Sequence, residues 1–308
     1  MSRMTEKAIR EFHQFLAKKV PQGPKDEEEL QQLMNEFFMQ YNEAIQNTDE
    51  KVPMDVYDYL DMAEHTATKR KKKEYLAQAA ALEPDNMDVK LAQTEVDAKS
   101  PLDLISALPT LIQEEREWLK QQQIYNRSKG DFWLVFETRP YMRLLQHYMM
   151  ALIECGVTNR AIQIGEEMLR LNKNDNQGIR FMLITLYAQS GSEMKALKLY
   201  KHNSEEKDSP SYLLPLALLY FKIGEWDKAK SYLETLKQTC PGTKKFLHAV
   251  KTENEYALSD MYNPMGYRPG TVSELIEHYL DNSKVYDCEP YFFEWADKAL
   301  IVHRKKKE

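Results

Sequence analysis

An all-α protein built from stacked helical hairpins is the fold class that the sequence predicts, and three observations predict it. Apolar residues recur at helical spacing along most of the chain. The 308 residues include only 10 glycines and 13 prolines, few enough to imply short connections. Between Tyr141 and Phe246 one pattern appears three times: an apolar-periodic segment, a glycine, a short gap, an alanine and a second periodic segment. The glycines are Gly156, Gly191 and Gly224 and the alanines Ala161, Ala196 and Ala229, and both series step by 35 and then 33 residues. Two landmarks sharing one period imply a repeated two-helix unit, because a single amphipathic hairpin cannot bury its own apolar face.

The chain opens with a helix over residues 5–20, which places Ile9, Phe12, Phe15, Leu16 and Val20 on one face before Pro21-Gln22-Gly23-Pro24 stops it. A second helix starts with Asp26 and Glu29 in capping-box spacing and carries Leu30, Leu33, Phe37, Phe38, Tyr41 and Ile45. Residues 1–50 therefore read as a helical hairpin that caps the array. A DNA-reading domain would need a third helix with a basic recognition face, which this segment lacks.

Residues 53–130 read as degenerate repeats. Val56, Leu60 and Ala63 mark one helix, Tyr75, Leu76, Ala79 and Leu82 the next, and Glu83-Pro84-Asp85-Asn86 closes it. The run Lys69-Arg70-Lys71-Lys72-Lys73 reads as a solvated turn and helix start, with contact to an acidic partner or to phosphate as the alternative. Val89, Leu91, Ala92 and Val96 give a short helix. Ser100-Pro101-Leu102-Asp103 then restarts the chain into a long helix through Leu108, Leu111, Ile112 and Trp118. Asn126–Gly130 breaks the pattern. Phe132-Trp133-Leu134-Val135-Phe136 is too short for a helix and lacks a partner strand. It reads as a buried turn that wedges two halves of the array and leads into a helix capped near Thr138, with Pro140 in its first turn.

Residues 131–260 hold the three clear repeats and one following helix. Met142, Leu145, Met149, Leu152 and Ile153 precede Gly156, and Ala161, Ile164, Met168 and Leu169 follow it. Phe181, Ile184, Tyr187 and Ala188 precede Gly191, and Ala196, Leu197, Leu199 and Tyr200 follow. Leu214, Ala217, Leu218, Tyr220 and Phe221 precede Gly224, and Trp226, Ala229, Leu233 and Leu236 lead to Pro241. Phe246, Leu247 and Val250 mark the following helix. Residues 261–308 form a C-terminal helical cap: a break over Met261–Gly270, a capping box at Thr271 and Glu274, the face Leu275, Ile276, Tyr279 and Leu280, then an aromatic helix with Phe292, Phe293, Trp295, Ala296 and Leu300. So dense an apolar face should dock on the repeats rather than stay in water. The whole chain would then hold about thirteen to fifteen helices.

The glycine–alanine pattern, and above all LALLYFKIGEWDKAKSYLETLKQTCP, resembles the tetratricopeptide repeat. That resemblance implies a right-handed α-α superhelix from about residue 53. FWLVFETRPYMR, followed one repeat later by LNKNDNQGIR, is further similar to an uncharacterised family of bacterial tetratricopeptide proteins, over roughly residues 53–300. Lys173 stands where that family usually has proline, and Phe181 where it has tyrosine. The likeness implies architecture and a bacterial origin but no activity. Read from the residues themselves, Asn174, Asp175 and Asn176 suit a turn that accepts helix N-terminal amides, and Gly178 suits close helix contact. Arg143 and Arg180 lie near helix starts, where the macrodipole disfavours cations, so Glu137 and Asp175 should compensate. Either the two arginines belong to a structural ion-pair network or they clamp a ligand.

The net charge of −6 and a pI near 5.8 disfavour nucleic acid as a partner. The longest apolar run, Tyr212–Phe221, is too short for a membrane span, and the N-terminus lacks the uninterrupted apolar stretch of a signal peptide. Cys155, Cys240 and Cys288 are odd in number and far apart, which fits buried free thiols in the cytoplasm. No catalytic, nucleotide-binding or metal-binding motif occurs, and no two of the seven histidines are closer than 25 residues. A non-enzymatic scaffold without cofactor or metal is expected, binding a protein or peptide in a concave groove; a ligand- or peptide-responsive sensor acting through a partner is the alternative. The first helices of the repeats should line that groove. They would contribute Arg143, Gln146 and Met150, then Arg180, Phe181, Thr185 and Gln189, then Leu214, Leu218, Phe221 and Lys222. A Met and Phe floor would suit an amphipathic peptide whose acidic end meets Arg143. The competing occupant is the chain's own C-terminal segment.

Overall fold

The computed structural model describes residues 3–46, 54–263 and 268–300, and within them the chain is all-helical: eighteen α-helices, two short 3-10 segments and no strand. The chain divides into two compact units between Glu117 and Trp118.

The first unit begins with α1 (Arg3–Lys19) and α2 (Glu27–Gln46), a hairpin closed by Phe12, Phe15 and Phe37, whose ring centroids lie 5.2 and 5.7 Å apart. The Asp26 carboxylate accepts from Glu29 N at 2.8 Å, but Glu29 reaches back to Lys25 N rather than to Asp26 N. A full reciprocal box forms instead at α3 (Val56–His65), where Asp55 and Asp58 each accept from the other's amide. Asp58 also accepts from Lys7 Nζ at 2.7 Å, fastening α1 to α3. The basic run is the first turn of α4 (Lys69–Leu82), which packs on α3 and leaves Leu82 more than half exposed instead of in the core. Asn86 caps α5 (Met87–Asp97), and Asp103 accepts from Lys99 N and Ser100 N at the start of α6 (Pro101–Gln121).

In the second unit, α7 (Ile124–Arg127) precedes the aromatic run, which forms turns and a 3-10 segment (Phe136–Thr138). Phe132 is buried against Tyr125 and Tyr141, and Gly130 and Phe132 donate to Leu171 O. Thr138 does not cap with its side chain. Its hydroxyl donates backwards to Phe132 O and to Val135 O, and so holds the turn closed.

Three hairpins follow: α8 (Arg139–Glu154) with α9 (Thr158–Leu171), α10 (Ile179–Gln189) with α11 (Glu193–His202), and α12 (Pro210–Lys222) with α13 (Trp226–Thr239). Each packs on the next through α9 and α10, then α10 and α12. Gly156, Gly191 and Gly224 all have positive φ, from 66° to 82°, and sit in the same Schellman turn, in which the next amide donates back to the carbonyl five residues earlier. Ala161, Ala196 and Ala229 are fully buried on the returning helices. Trp226, named with the apolar positions of the third repeat, is 60% exposed.

The same turn occurs a fourth time. Helix α14 (Thr243–Lys251) turns into α15 (Glu255–Met261) with Asn254 N donating to Ala249 O at 2.9 Å, and the left-handed position is Glu253, at φ 51°. Without a glycine this hairpin is invisible to the sequence pattern. The C-terminal segment then adds α16 (Val272–Asp281), α17 (Ser283–Tyr286) and α18 (Pro290–Ala299); the aromatic helix expected to start at Tyr286 starts only at Pro290, and Tyr286 ends the separate α17. The short helices α7, α15 and α17 account for the count above the expected range. Arg304–Lys307 and part of the Met261–Gly270 break lie outside the described residues.

A glycine serves close packing at Gly165 rather than at Gly178. A Cβ on Gly165 of α9 would stand 2.9 Å from Leu183 of α10, whereas one on Gly178 would meet nothing nearer than 3.7 Å. Replacing Glu253 by glycine should raise stability by about 1 kcal/mol, by relieving left-handed backbone strain. Gly165→Ala should lower it despite alanine's better helix propensity, because overpacking a core costs ~1–3 kcal/mol against a gain of ~1. Urea denaturation of both variants checks the two signs.

Candidate functional site

Helix α12 is apolar around its whole circumference, and every residue from Pro210 to Tyr220 is buried. Packing against α10 and α13 covers part of it, and α16 covers more. Ser209 caps α12, accepting from Ser211 N at 3.1 Å, and its hydroxyl donates to Glu274. The Glu274 carboxylate, 2% exposed, also accepts from Ser211 Oγ at 3.2 Å and Gly270 N at 2.7 Å. Only half of the expected capping box therefore forms: Glu274 N donates to Thr271, but the Glu274 side chain is spent on α12 and on Gly270.

One turn further along α16, the His278 ring is buried with Nε2 3.0 Å from the Tyr286 hydroxyl and 3.4 Å from Thr185 Oγ1. Thr185 in turn donates to Phe181 O at 2.9 Å. Burial pushes the His278 pKa down to about 3, so its imidazole is neutral at physiological pH. Burial likewise holds the Tyr286 hydroxyl protonated.

Between these C-terminal helices and the first helices of the repeats lies an open cleft of about 600 Å³. Gln146, Met150, Ile153 and Glu154 of α8 form one wall, with Gln177, Gly178, Phe181 and Met182 beside them. Glu274, Glu277, His278, Leu280 and Asp281 of α16, with Ser211 and Asn282–Lys284, form the other. Gln177 Nε2 donates to Gln146 Oε1 at 2.6 Å, while Gln177 Oε1 is buried with no partner. Partial desolvation of a residue that keeps an exposed surface, and then the charge of Glu277, raise the Asp281 carboxyl above the usual range.

The expected groove residues separate into three sets. Gln146, Met150 and Phe181 line this cleft, and Thr185 stands behind His278. Leu214 and Leu218 are fully buried and offer a ligand no surface. Phe221 packs on Phe292 and Trp295, and Lys222 pairs with Glu289, so the chain's own C-terminal segment occupies that end. Arg180 is committed to Asp175 at 2.9 Å and to Glu206 through two bonds at 3.0 and 3.1 Å, which favours the structural network over a ligand clamp. Asp175 caps α10 through Ile179 N and Arg180 N, as the turn chemistry predicts. Arg143 does not line the cleft, and Gln189 lies at a separate depression with Gly156–Asn159. Ile153 and Glu154 continue the helical register of Gln146 and Met150 and were accessible to that reasoning; the α16 residues were not.

Among the described residues, no group of three or more His, Cys, Asp or Glu could hold a metal ion, and no helix is long and apolar enough to cross a membrane. All three cysteines are free. Cys240 is buried, with its pKa pushed up to about 11 by burial, whereas Cys288 is exposed, contrary to expectation. No protein-family model, curated protein or solved structure matches the chain.

The neutral His278 gives a pH dependence whose sign is fixed. An unfolded histidine takes up a proton near pH 6.5 and the folded one only near pH 3, so its stabilising contribution is present above pH 6.5 and is lost as pH falls between those values. The stability advantage of the native chain over His278→Gln should shrink progressively on acidification through that window. Urea titrations at stepped pH measure it, and a constant difference would refute the assignment.

Proposed function

We propose that this chain is a non-enzymatic, cytoplasmic helical-repeat adaptor that binds a short segment of another protein. Its hairpins form a tetratricopeptide-like, right-handed superhelix of the bacterial family suggested by ETRPYMR and NDNQGIR. The observation that carries the reading is the cleft: a half-exposed apolar floor of Met150, Ile153, Phe181 and Met182, bordered by polar groups. Its volume of about 600 Å³ suits a few side chains rather than a whole domain. Methionine floors adapt to varied apolar ligands.

One observation favours the sensor reading as a second possibility for the same site. Helix α16 both lines the cleft and is tied to the repeats by packing on α12 and by Glu274 and His278, so an occupant would touch both of the elements that this contact joins. Hydrogen exchange in α16–α18 that changes on ligand binding would support it; unchanged exchange leaves the plain adaptor.

Panning a displayed random-peptide pool on the protein tests the common core of both readings. Selected peptides should lose more than ~1 kcal/mol of affinity, about fivefold, with Phe181→Ala or Met150→Ala, and nothing with Arg143→Ala. If folded Phe181→Ala and Met150→Ala proteins bind like wild type, the cleft is not the site, and attention moves to the basic first turn at Lys69–Lys73.

A further inference from the structure

Apart from Lys284, the unmatched charged and buried polar groups of the cleft share one chemistry: they accept hydrogen bonds. Gln177 Oε1 is buried without a donor. Asp281 and Glu154 have no ion-pair partner among the described residues, and Glu277 is met only by the Tyr262 hydroxyl at 2.7 Å. Glu277 and Asp281 are four residues apart on α16, so they share one face and repel each other. Glu274 is already satisfied by Ser209, Ser211 and Gly270 and drops out of the balance. Three carboxylates then face one ammonium, Lys284, beside the apolar side chains of Met150, Ile153, Phe181, Met182 and Leu280. The cationic anchor expected from the sequence, Arg143, is not in the lining, and Arg180 is spent on Asp175 and Glu206.

Resting on the peptide-binding reading above, we propose that the cleft selects a segment in which a lysine or arginine stands beside apolar side chains. The donor-only cation meets Glu277, Asp281 and Gln177, and its apolar neighbours settle on Met150, Phe181 and Leu280. Arginine and lysine are the side chains that offer several donors and no acceptor, which is the complement of this wall. An acidic segment would bring like charges together in a partly desolvated cleft, at a cost of several-fold or more in affinity.

The test uses the full chain and three fluorescein-labelled peptides of equal length and identical leucine spacing, whose polar positions are all lysine, all glutamine or all glutamate. Fluorescence anisotropy should give the lysine peptide the lowest Kd, by at least about tenfold over the glutamate peptide at low salt. That advantage should collapse when salt rises from about 0.01 to about 1 M, which shortens the screening length from about 30 to about 3 Å. It should also collapse in the isosteric double variant Glu277→Gln, Asp281→Asn, whose fold is checked by its melting curve. Equal or tighter binding of the glutamine or glutamate peptide, still weakened by Phe181→Ala, would overturn the charge preference while leaving the peptide-binding reading in place. Lysine-peptide binding that ignores the double variant would place the peptide elsewhere and overturn the proposal. Failure of all three peptides to bind would overturn it together with the reading on which it rests.

Discussion

The structure of the second unit turns on one constraint: α12 has no polar face. A helix that is apolar around its circumference must be buried on every side, and two neighbouring helices of a repeat array leave such a helix partly open. The residues Pro210–Tyr220 are all buried because α16 adds a covering element to what α10 and α13 provide. Farther along, α18 sets Phe292 and Trp295 in tilted contact with Phe221 and packs on α13 and α14. The C-terminal segment is therefore part of the core of this unit. With ~25 cal/mol per Å² of apolar surface removed from water, covering even one large side chain contributes on the order of 2 kcal/mol.

Covering α12 brings polar groups into the interior, and those that tie α16 to the repeats are met, while the buried Tyr212 hydroxyl on α12 has no hydrogen-bond partner among the described residues. Glu274 is buried where Ser209, Ser211 and Gly270 N supply donors, and His278 is buried as a neutral ring between Tyr286 and Thr185. Satisfied bonds of this kind add little net energy but specify register, since an unmatched buried carboxylate is far more costly than a slightly imperfect apolar contact. They place α16 so that its remaining face, with Glu277, Leu280 and Asp281, borders the first helices of the repeats. The cleft is the space left over by that placement, and its acidic character comes from α16 together with Glu154.

Much of the local structure was legible in the residues. The turn glycines Gly156, Gly191 and Gly224 take up the left-handed conformation that their spacing implied, and Asp175 caps the helix it was expected to cap. Ser100, Pro101 and Asp103 open a helix as read. Where local reading failed, the cause is specific. Glu253 does a glycine's work in the fourth turn, so the hairpin of α14 and α15 carried no marker. Thr138 spends its hydroxyl on carbonyls behind it rather than on the amides ahead. Glu274 has capping-box spacing but finds stronger use across the core.

What the sequence determined by itself is whatever depends on residues within a few positions of each other: helix periodicity, the caps, the turns and the repeat length. The candidate site depends on contacts between residues far apart in the chain, such as Thr185 with His278, Ser211 with Glu274, and Phe221 with Phe292. Helical register can say which side chains share a face, but it cannot say what will cover that face. For Leu214, Leu218, Phe221 and Lys222 the chain itself reduces or removes the free surface, and for Gln146, Met150 and Phe181 it leaves a gap. That difference arises from where α16–α18 come to rest, which is decided by the summed burial of α12 and Phe221 and by the few polar bonds that fix their register.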